Sequence, residues 1–316
     1  MLLAPNQALA VVLLNWSLLS VQGLDLTGAG ASFPDHMYRY AVFAYGQTSV
    51  AKYLDLSIKY LSTGSGIGKC LLMNSCDASD KAKMALATGG TVIDSVDFAG
   101  SDSLVTDDEY SKYPDIQMYP TVAGAVVPIV HFGEDGKQEV VLSPGILAKI
   151  YSGAIRRWDD AKILALNPSL SVPASQSIRV IARSDKSGTT ETWKRSLAAF
   201  DANFSTAVGT SPTSSLRAEG AQGWPPSEEF WPGFEYRDQN SGVAAAVAAL
   251  PYSIGYCSTD AVAAAPNRKY VVAALDKGFD DAGVPSGNVL SPSTAAVQAG
   301  TCTCSTFDER CICSRA

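Results

Sequence analysis

Histidine is scarce in this chain, and charged side chains are few. Only two histidines, His36 and His131, occur among 316 residues, so few groups are available for acid–base catalysis or for a zinc site. Charged residues make up 17% of the chain, and 31 Asp and Glu outnumber 24 Lys and Arg, which gives a formal net charge of −7. A general nucleic-acid-binding protein carries a clustered basic surface, so this balance argues against that class.

Long apolar runs are also missing, since a membrane-spanning helix takes about 20 apolar residues. The run at residues 8–19 is shorter and is followed by the small residues of Val21-Gln22-Gly23. This pattern is typical of a secretory signal, so we predict a signal peptide at residues 1–23 and a secreted protein, extracellular or periplasmic. Because no Lys or Arg precedes the run, a buried N-terminal helix is the alternative.

Seven cysteines are consistent with an oxidising compartment. Cys70 and Cys76 flank a short segment, and Cys257 lies in a strand-like stretch, where we expect a buried free thiol. The other four crowd the C-terminus: Cys302, Cys304, Cys311 and Cys313. Disulfides are the prediction for this cluster and a zinc site is the alternative, and the spacing leaves the pairing open.

Short strand patterns and helical patterns alternate along the chain, which predicts an α/β architecture. Hydrophobic residues make up 47% of the chain, as in globular proteins, and the length suffices for roughly two domains or lobes. The predicted strands are residues 54–60, 96–99, 121–130, 178–182 and 253–256. The predicted helices are residues 67–73, 146–151, 161–166, 189–200 and 243–250, and residues 209–233 form an irregular connection rich in Pro, Gly and Ser.

Four segments share one pattern, in which a strand ends, small residues follow and a helix or turn begins. They are residues 27–34, 63–66, 98–103 and 183–189. We expect Ser32 to cap the first of these helices, with Pro34 in its first turn. Helix N-termini expose unpaired N–H groups and a partial positive charge, so several of them together can bind an anion without a basic surface. Arg183 adds a two-pronged donor that suits an oxyanion.

These segments resemble the PstS-type phosphate-binding proteins of high-affinity phosphate ABC transporters, from about residue 24 to about residue 292. The matching motifs are LTGAGASFP, STGSGIGK, VDFAGSD, YPTVAGAVVP, YSGAIRRWDD, ALNPSL, IARSDKSGTTETW and NSGVAAAVAALPYSIGY. The resemblance implies a two-lobed periplasmic binding protein-like α/β fold (type II) with a hinge. Lobe one would be residues 24–120, lobe two residues 121–262, and residues 263–316 a C-terminal segment with a Cys-rich tail at 301–316. The last part of lobe one is expected to be missing, since relatives continue past residue 292 with further elements.

The resemblance also implies a set of phosphate-binding residues at positions that match the family's motifs. They are Ser32, Phe33, Ser65, Asp102, Arg183, Ser187, Gly188 and Thr189, with Asp185 orienting the guanidinium of Arg183. A carboxylate repels an anion unless the ligand carries a proton. Asp102 therefore suits HPO₄²⁻ or H₂PO₄⁻, which can donate a hydrogen bond, over sulfate, which cannot.

The function implied is binding of inorganic phosphate for uptake, by a monomer that passes it to an ABC transporter permease. Neither catalysis, a cofactor, a metal ion nor nucleic acid is expected. A phosphate scavenger, a sensor or a surface protein without a transporter is the alternative, because the binding chemistry would be the same. A nucleotide hydrolase is a weaker alternative, since the near-Walker A segment has Thr63 for its first glycine and Cys70 for its Ser or Thr. A serine hydrolase or phosphatase would need His36 or His131 as its base and lacks a G-x-S-x-G motif.

Overall fold

The computed structural model describes residues 23–133, 136–208, 234–265, 268–276 and 289–290. The predicted signal peptide up to residue 22, the connection at 209–233 and the four C-terminal cysteines lie outside the described residues. None of the helices in the described ranges is both long and apolar enough to cross a membrane.

Helices and strands alternate, as the patterns predict. The strands are β1 (Asp25–Gly30), β2 (Ser57–Ser62), β3 (Phe98–Gly100), β4 (Val126–His131), β5 (Val141–Leu142), β6 (Arg179–Arg183), β7 (Phe234–Arg237), β8 (Ser253–Ser258), β9 (Val271–Val272), β10 (Ala274–Asp276) and β11 (Val289–Leu290). The helices are α1 (Asp35–Gly46), α2 (Ser49–Tyr53), α3 (Ser65–Leu72), α4 (Ala78–Ala87), α5 (Asp107–Lys112), α6 (Pro144–Tyr151), α7 (Ala161–Leu166), α8 (Gly188–Phe200), α9 (Ala202–Val208), α10 (Gln239–Ala249) and α11 (Thr259–Ala263).

The first sheet is parallel and has the order β2-β1-β3. Its central strand ends at Gly30, whose φ is +141°, and a Cβ there would lie 2.0 Å from the carbonyl oxygen of Gly100. Only glycine therefore lets β1 and β3 end side by side at this edge. The small core beneath the sheet consists of Ala29, Ile67, Leu71 and Met84.

The second sheet is larger and has the order β7-β6-β8-β4-β9, and β6 pairs in parallel with both of its neighbours. Helix α10 packs on it through Val243 and Val247, which are fully buried. On the other side lies a core that contains Trp158 and Phe132 in edge-to-face contact. β9 continues this sheet at residues 271–272 by pairing with β4.

Two element predictions differ from the structure. The apolar run at residues 121–130 forms a strand only at Val126–His131, where β8 and β9 lie on either side as hydrogen-bonding partners. His131, one residue beyond the predicted strand, ends β4 and is buried, and its Nδ1 lies 2.8 Å from the carbonyl oxygen of Val247. Strand β7 was not predicted at all, because Phe234–Arg237 reads as a polar, charged stretch without the sheet beside it.

The prediction of a buried free thiol at Cys257 is confirmed, and the structure shows a disulfide whose pairing the sequence left open. Cys70 in α3 forms a disulfide with Cys76, six residues later, and so ties the end of that helix to the start of the next. Cys257 in β8 is a buried free thiol, and burial raises its pKa to about 12. It is therefore an inert core residue at neutral pH.

Candidate anion site

The N-termini of α3 and α8 meet the turn that follows β3. Ser65 is the first residue of α3 and Gly188 the first of α8, and the backbone N–H of Gly188 donates to the Ser65 hydroxyl at 3.2 Å. A Cβ on Gly188 would lie 2.7 Å from the backbone of Asp102 and of Ser103. Glycine at this position therefore permits three segments, from two different sheets, to come together.

The carboxylate of Asp102 lies at the centre of this meeting point. Its Oδ1 accepts a hydrogen bond from Ser65 Oγ and its Oδ2 one from Thr189 Oγ1, both at 2.9 Å. The turn itself is closed by Ser101, whose hydroxyl bonds the backbone of Ser103. Asp102 is thus free of local turn bonding, and each of its oxygens keeps acceptor capacity for a ligand that can donate a proton.

Arg183 supplies a buried positive charge at the end of β6, where its side chain is 1% exposed. Its Nε donates to Asp185 Oδ1 at 2.7 Å and its Nη2 to Asp185 Oδ2 at 2.5 Å. This two-point contact fixes the orientation of the guanidinium. Burial alone would lower the pKa of Arg183, but the adjacent Asp185 carboxylate outweighs this and the pKa is raised. Arg183 therefore stays charged, and three of its five N–H donors are used by the protein.

Asn240 connects Arg183 to the first segment, and sequence reasoning assigned it no role. Its Oδ1 accepts from Arg183 Nη1 at 3.0 Å, while its Nδ2 donates to Ser32 Oγ at 3.2 Å and lies 3.5 Å from Thr189 Oγ1. The sequence did contain a signal, because residues 237–242 repeat the pattern of a strand end, small polar residues and a helix start. Asn240 lies on the fifth such segment.

Further contacts join the halves of the molecule around these residues. The backbone N–H of Gly66 donates to the carbonyl of Lys186 at 3.0 Å, and the Lys186 ammonium pairs with Asp80 at 2.8 Å. Gln239 Nε2 donates to the carbonyl of Ser62 at 2.8 Å. The elements of the first sheet are therefore connected to those of the second on both sides of the site.

Comparison with known proteins identifies the fold family. A family model described as a PBP superfamily domain matches residues 20–301. The chain belongs to the PBP superfamily. A high-affinity periplasmic phosphate-binding protein, solved at subatomic resolution with bound phosphate, superposes with a TM-score of 0.61. The two are 26% identical, and the match covers 89% of this chain and 68% of that one. The α/β fold of the two-lobed binding-protein type is thus confirmed.

Curated relatives within this superfamily are PstS-type proteins. The chain is 30% identical over 236 residues to the phosphate-binding protein PstS of Haemophilus influenzae, over 74% of this chain and 58% of the relative. It is 29% identical over 248 residues to PstS of Pasteurella multocida, over 78% and 60%. A protein named alkaline phosphatase L from Pseudomonas aeruginosa is 31% identical over 255 residues, over 78% and 59%. The chain therefore spans about three fifths of the length of these relatives, which are mainly binding proteins.

The PBP-superfamily fold places Ser32 differently from the sequence-based expectation. Pro34 occupies the cap position of α1 and no side chain caps that helix, so the expectation that Ser32 is its cap is wrong. The chain turns over residues 32–34 instead, and the Ser32 hydroxyl is bonded by Asn240. The ring of Phe33 lies against Gly124, where a Cβ would be 2.6 Å away.

Ser187 and Tyr256 support the start of α8. Ser187 is the N-cap of the helix, and its hydroxyl accepts from the backbone N–H of Thr190 at 3.2 Å. Tyr256, buried under the site, shares a hydrogen bond of 2.6 Å with Thr190 Oγ1 and accepts from the backbone N–H of Arg183 at 3.3 Å. Burial raises the pKa of Tyr256, so this supporting hydroxyl stays protonated.

The near-Walker A segment of this PBP-superfamily chain is committed to other contacts. Lys69 donates to Glu109 at 3.1 Å, and Cys70 is held in the disulfide, so neither the lysine nor the residue at the magnesium-binding position is available to a nucleotide. His36 lies in the first turn of α1, and His131 is buried at the end of β4. Among the described residues, neither histidine contacts Ser65, Asp102 or Thr189.

Proposed function

We propose that this chain binds inorganic phosphate in the cleft between its first and second sheets. The observation that carries the proposal is the convergence of five segments on one point, where the hydroxyls of Ser65 and Thr189 donate to Asp102 and Asn240 links Thr189 to Arg183. Around Asp102 lie the Ser32 hydroxyl, the backbone start of α8 and the buried Arg183, while the single protons of the Ser65 and Thr189 hydroxyls are donated to the carboxylate. Such a donor set suits a small tetrahedral oxyanion.

The single carboxylate decides which oxyanion is preferred. Asp102 accepts from two hydroxyls of the protein, and its remaining lone pairs would face the unprotonated oxygens of sulfate at a repulsive distance. A phosphate that carries at least one proton turns this repulsion into a hydrogen bond. Of the residues that the resemblance implies, Ser65, Gly188 and Thr189 contact Asp102 or one another, Arg183 joins them through Asn240, and Ser187 and Asp185 hold them in place.

Binding would close two lobes on each other. Residues 24–120, which contain the first sheet, would form one lobe and residues 121–262 the other, with Ser32, Ser65 and Asp102 on one side and Arg183 to Thr189 on the other. A ligand that bonds both sides favours the closed arrangement by the free energy of those bonds.

The physiological role we propose is delivery of phosphate to an ABC transporter permease, after export by the N-terminal signal. The PstS relatives are phosphate-binding proteins and the solved relative is a periplasmic one, which supports this role. A scavenger, a sensor or a surface protein without a permease would have the same site. An adjacent permease gene supports uptake, and its absence supports the alternative.

We further propose that the site binds without catalysis. The described part of the site pairs no hydroxyl with a histidine base, and its carboxylate accepts from the hydroxyls of Ser65 and Thr189 at 2.9 Å. One relative is named a phosphatase, so the point needs an assay. Release of p-nitrophenol from p-nitrophenyl phosphate by the purified chain, abolished by changing Asp102 to Asn, would overturn it.

Isothermal titration calorimetry of the full chain tests the binding proposal. We expect heat and a single site with phosphate, and no saturable heat with sulfate at the same concentration. A circular dichroism spectrum with both helix and strand signals establishes that the sample is folded. No phosphate binding by a folded sample would overturn the proposal.

A further inference from the structure

The backbone of Gln239, at the start of α10 and beside Asn240, has a left-handed conformation. Its φ is +62°, and the residue is half-buried. Glycine adopts such a φ freely, whereas a residue with a long side chain rarely does, because its Cβ crowds a backbone carbonyl oxygen. A costly conformation of this kind persists at a functional site only when the surrounding contacts hold it. The contacts of Gln239 reach both halves of the molecule.

The side-chain amide of Gln239 binds the last residue of β2 at two points. Its Nε2 donates to the carbonyl oxygen of Ser62 at 2.8 Å, and its Oε1 accepts from Ser62 Oγ at 3.3 Å. Ser62 belongs to the first sheet and closely precedes Ser65, whose hydroxyl donates to Asp102. The amide therefore holds the end of the strand that leads into the Ser65 side of the anion site.

The backbone of Gln239 binds the residue that orients Arg183. Its N–H donates to Asp185 Oδ1 at 3.1 Å, and the same oxygen accepts from Arg183 Nε at 2.7 Å. The loop after Ser62 lies directly against this carboxylate, since a Cβ on Gly64 would be 2.7 Å from Asp185 Oδ2. Gln239 is thus bonded to the Ser65 loop of one half and to the Arg183–Asp185 pair of the other.

We propose that Gln239 is a positioning residue that holds the Ser65 loop and the Arg183–Asp185 pair together around phosphate, and so slows release of the anion. The inference rests on the proposed function, because it concerns the same site. Gln239 acts through these residues and not on the anion itself. Its bonds to both halves form only when the halves meet, so they favour the same arrangement as the ligand does. Their loss should therefore appear mainly in the dissociation rate.

Two substitutions separate the side-chain contact from the backbone conformation. Gln239→Ala removes the amide and keeps the costly φ, whereas Gln239→Gly removes both. Calorimetry on the full chain should show a phosphate affinity about tenfold lower in each variant, because the hydrogen bonds to Ser62 are lost. A chase of radiolabelled phosphate should show correspondingly faster dissociation. The glycine variant should nevertheless melt at a higher temperature than the alanine variant. Gln47→Ala, at an exposed position after α1, is the control and should change neither rate nor affinity.

Ser62→Ala supplies a second test from the other side of the contact. It removes the hydroxyl that donates to the Gln239 amide and should raise the dissociation rate by about twofold, and it should add nothing further in a chain that already carries Gln239→Ala. Additive effects would overturn the inference. Wild-type affinity in both Gln239 variants, or recovery of affinity in the glycine variant alone, would also overturn it and leave the proposed function intact. A folded wild-type chain that binds no phosphate would overturn the proposed function, and the inference with it.

Discussion

At the scale of the residue, the proposed preference for phosphate over sulfate depends on one hydrogen-bond acceptor that lies among hydrogen-bond donors. Asp102 contributes an acceptor to a cluster made otherwise of hydroxyls, backbone N–H groups and a guanidinium. Ser65 and Thr189 already satisfy one lone pair on each carboxylate oxygen. On the proposed function, the remaining lone pairs of the carboxylate would select a ligand that donates a hydrogen bond.

Asp102→Asn should admit sulfate. The amide replaces an acceptor oxygen with a donor NH₂, so the repulsion that excludes an unprotonated anion becomes an attraction. We expect the phosphate-to-sulfate affinity ratio, measured by calorimetry, to fall by at least tenfold, which is about 1.4 kcal/mol. Asp107→Asn, at an exposed position in α5, is the control and should leave the ratio unchanged. Unchanged selectivity in the Asp102 variant would remove this residue from the specificity mechanism.

Asn240→Ala should weaken phosphate binding and stability together. The variant leaves one buried N–H of Arg183 without its acceptor and frees the Ser32 hydroxyl, at a cost of about 1–3 kcal/mol in the free energy of unfolding. Urea unfolding and calorimetry check the two effects. Asn203→Ala, in an exposed position of α9, is the control. A variant with full affinity for phosphate would show that Asn240 only braces the fold.

At the scale of the element, the site depends on how closely the starts of two helices approach each other. α3 and α8 belong to different sheets, and they meet through the Gly188 N–H and the Ser65 hydroxyl. That approach requires a residue without a side chain at the start of α8. Helix propensity would favour almost any other residue there, so the glycine answers a packing requirement that local sequence preference does not express.

Gly188→Ala should therefore separate α8 from the turn that carries Asp102. The added methyl would lie 2.7 Å from backbone atoms, which cannot move as a side-chain end can, so we expect loss of detectable phosphate binding and a lower melting temperature. Gly242→Ala in α10 is the matched control, because its Cβ would meet nothing closer than 3.5 Å. The control should be neutral or stabilising by up to about 1 kcal/mol. Retained binding in the Gly188 variant would refute the close-approach argument.

The disulfide should stabilise α3 and leave the site's chemistry untouched. Cys70 and Cys76 close a loop with a sequence separation of 6, for which the chain-entropy model gives about 2 kcal/mol. We expect the double Cys70→Ser, Cys76→Ser variant to lose about that much stability in urea unfolding while phosphate affinity stays within about twofold. A large fall in affinity in the double variant would mean that the disulfide also positions Ser65.

At the scale of the whole molecule, a ligand that bonds both sheets should stabilise them as one unit. Phosphate at 100 times its dissociation constant would add about 2.7 kcal/mol to the free energy of unfolding, and sulfate should add none. A thermal melt followed by circular dichroism, with and without each anion, measures this. Lys186→Met removes the ion pair with Asp80 that joins the two halves, and it should lower the melting temperature of the free chain more than that of the phosphate-bound chain. An equal shift in both states would show that the ion pair acts within one half only.

The sequence by itself determined much of the protein's local structure and its family. Periodicity and turn residues predicted the helices at 146–151, 161–166 and 189–200 and the strand at 253–256 closely, since these depend on neighbouring residues. Only the tertiary structure decided the rest. Ser32 lost its predicted cap role, β4 came out shorter than its apolar run and Asn240 emerged as a connecting residue, because each depends on partners far away in the chain. Ser32 and Asn240 are 208 residues apart, and a hydrogen bond over that separation exists only after the two sheets have packed.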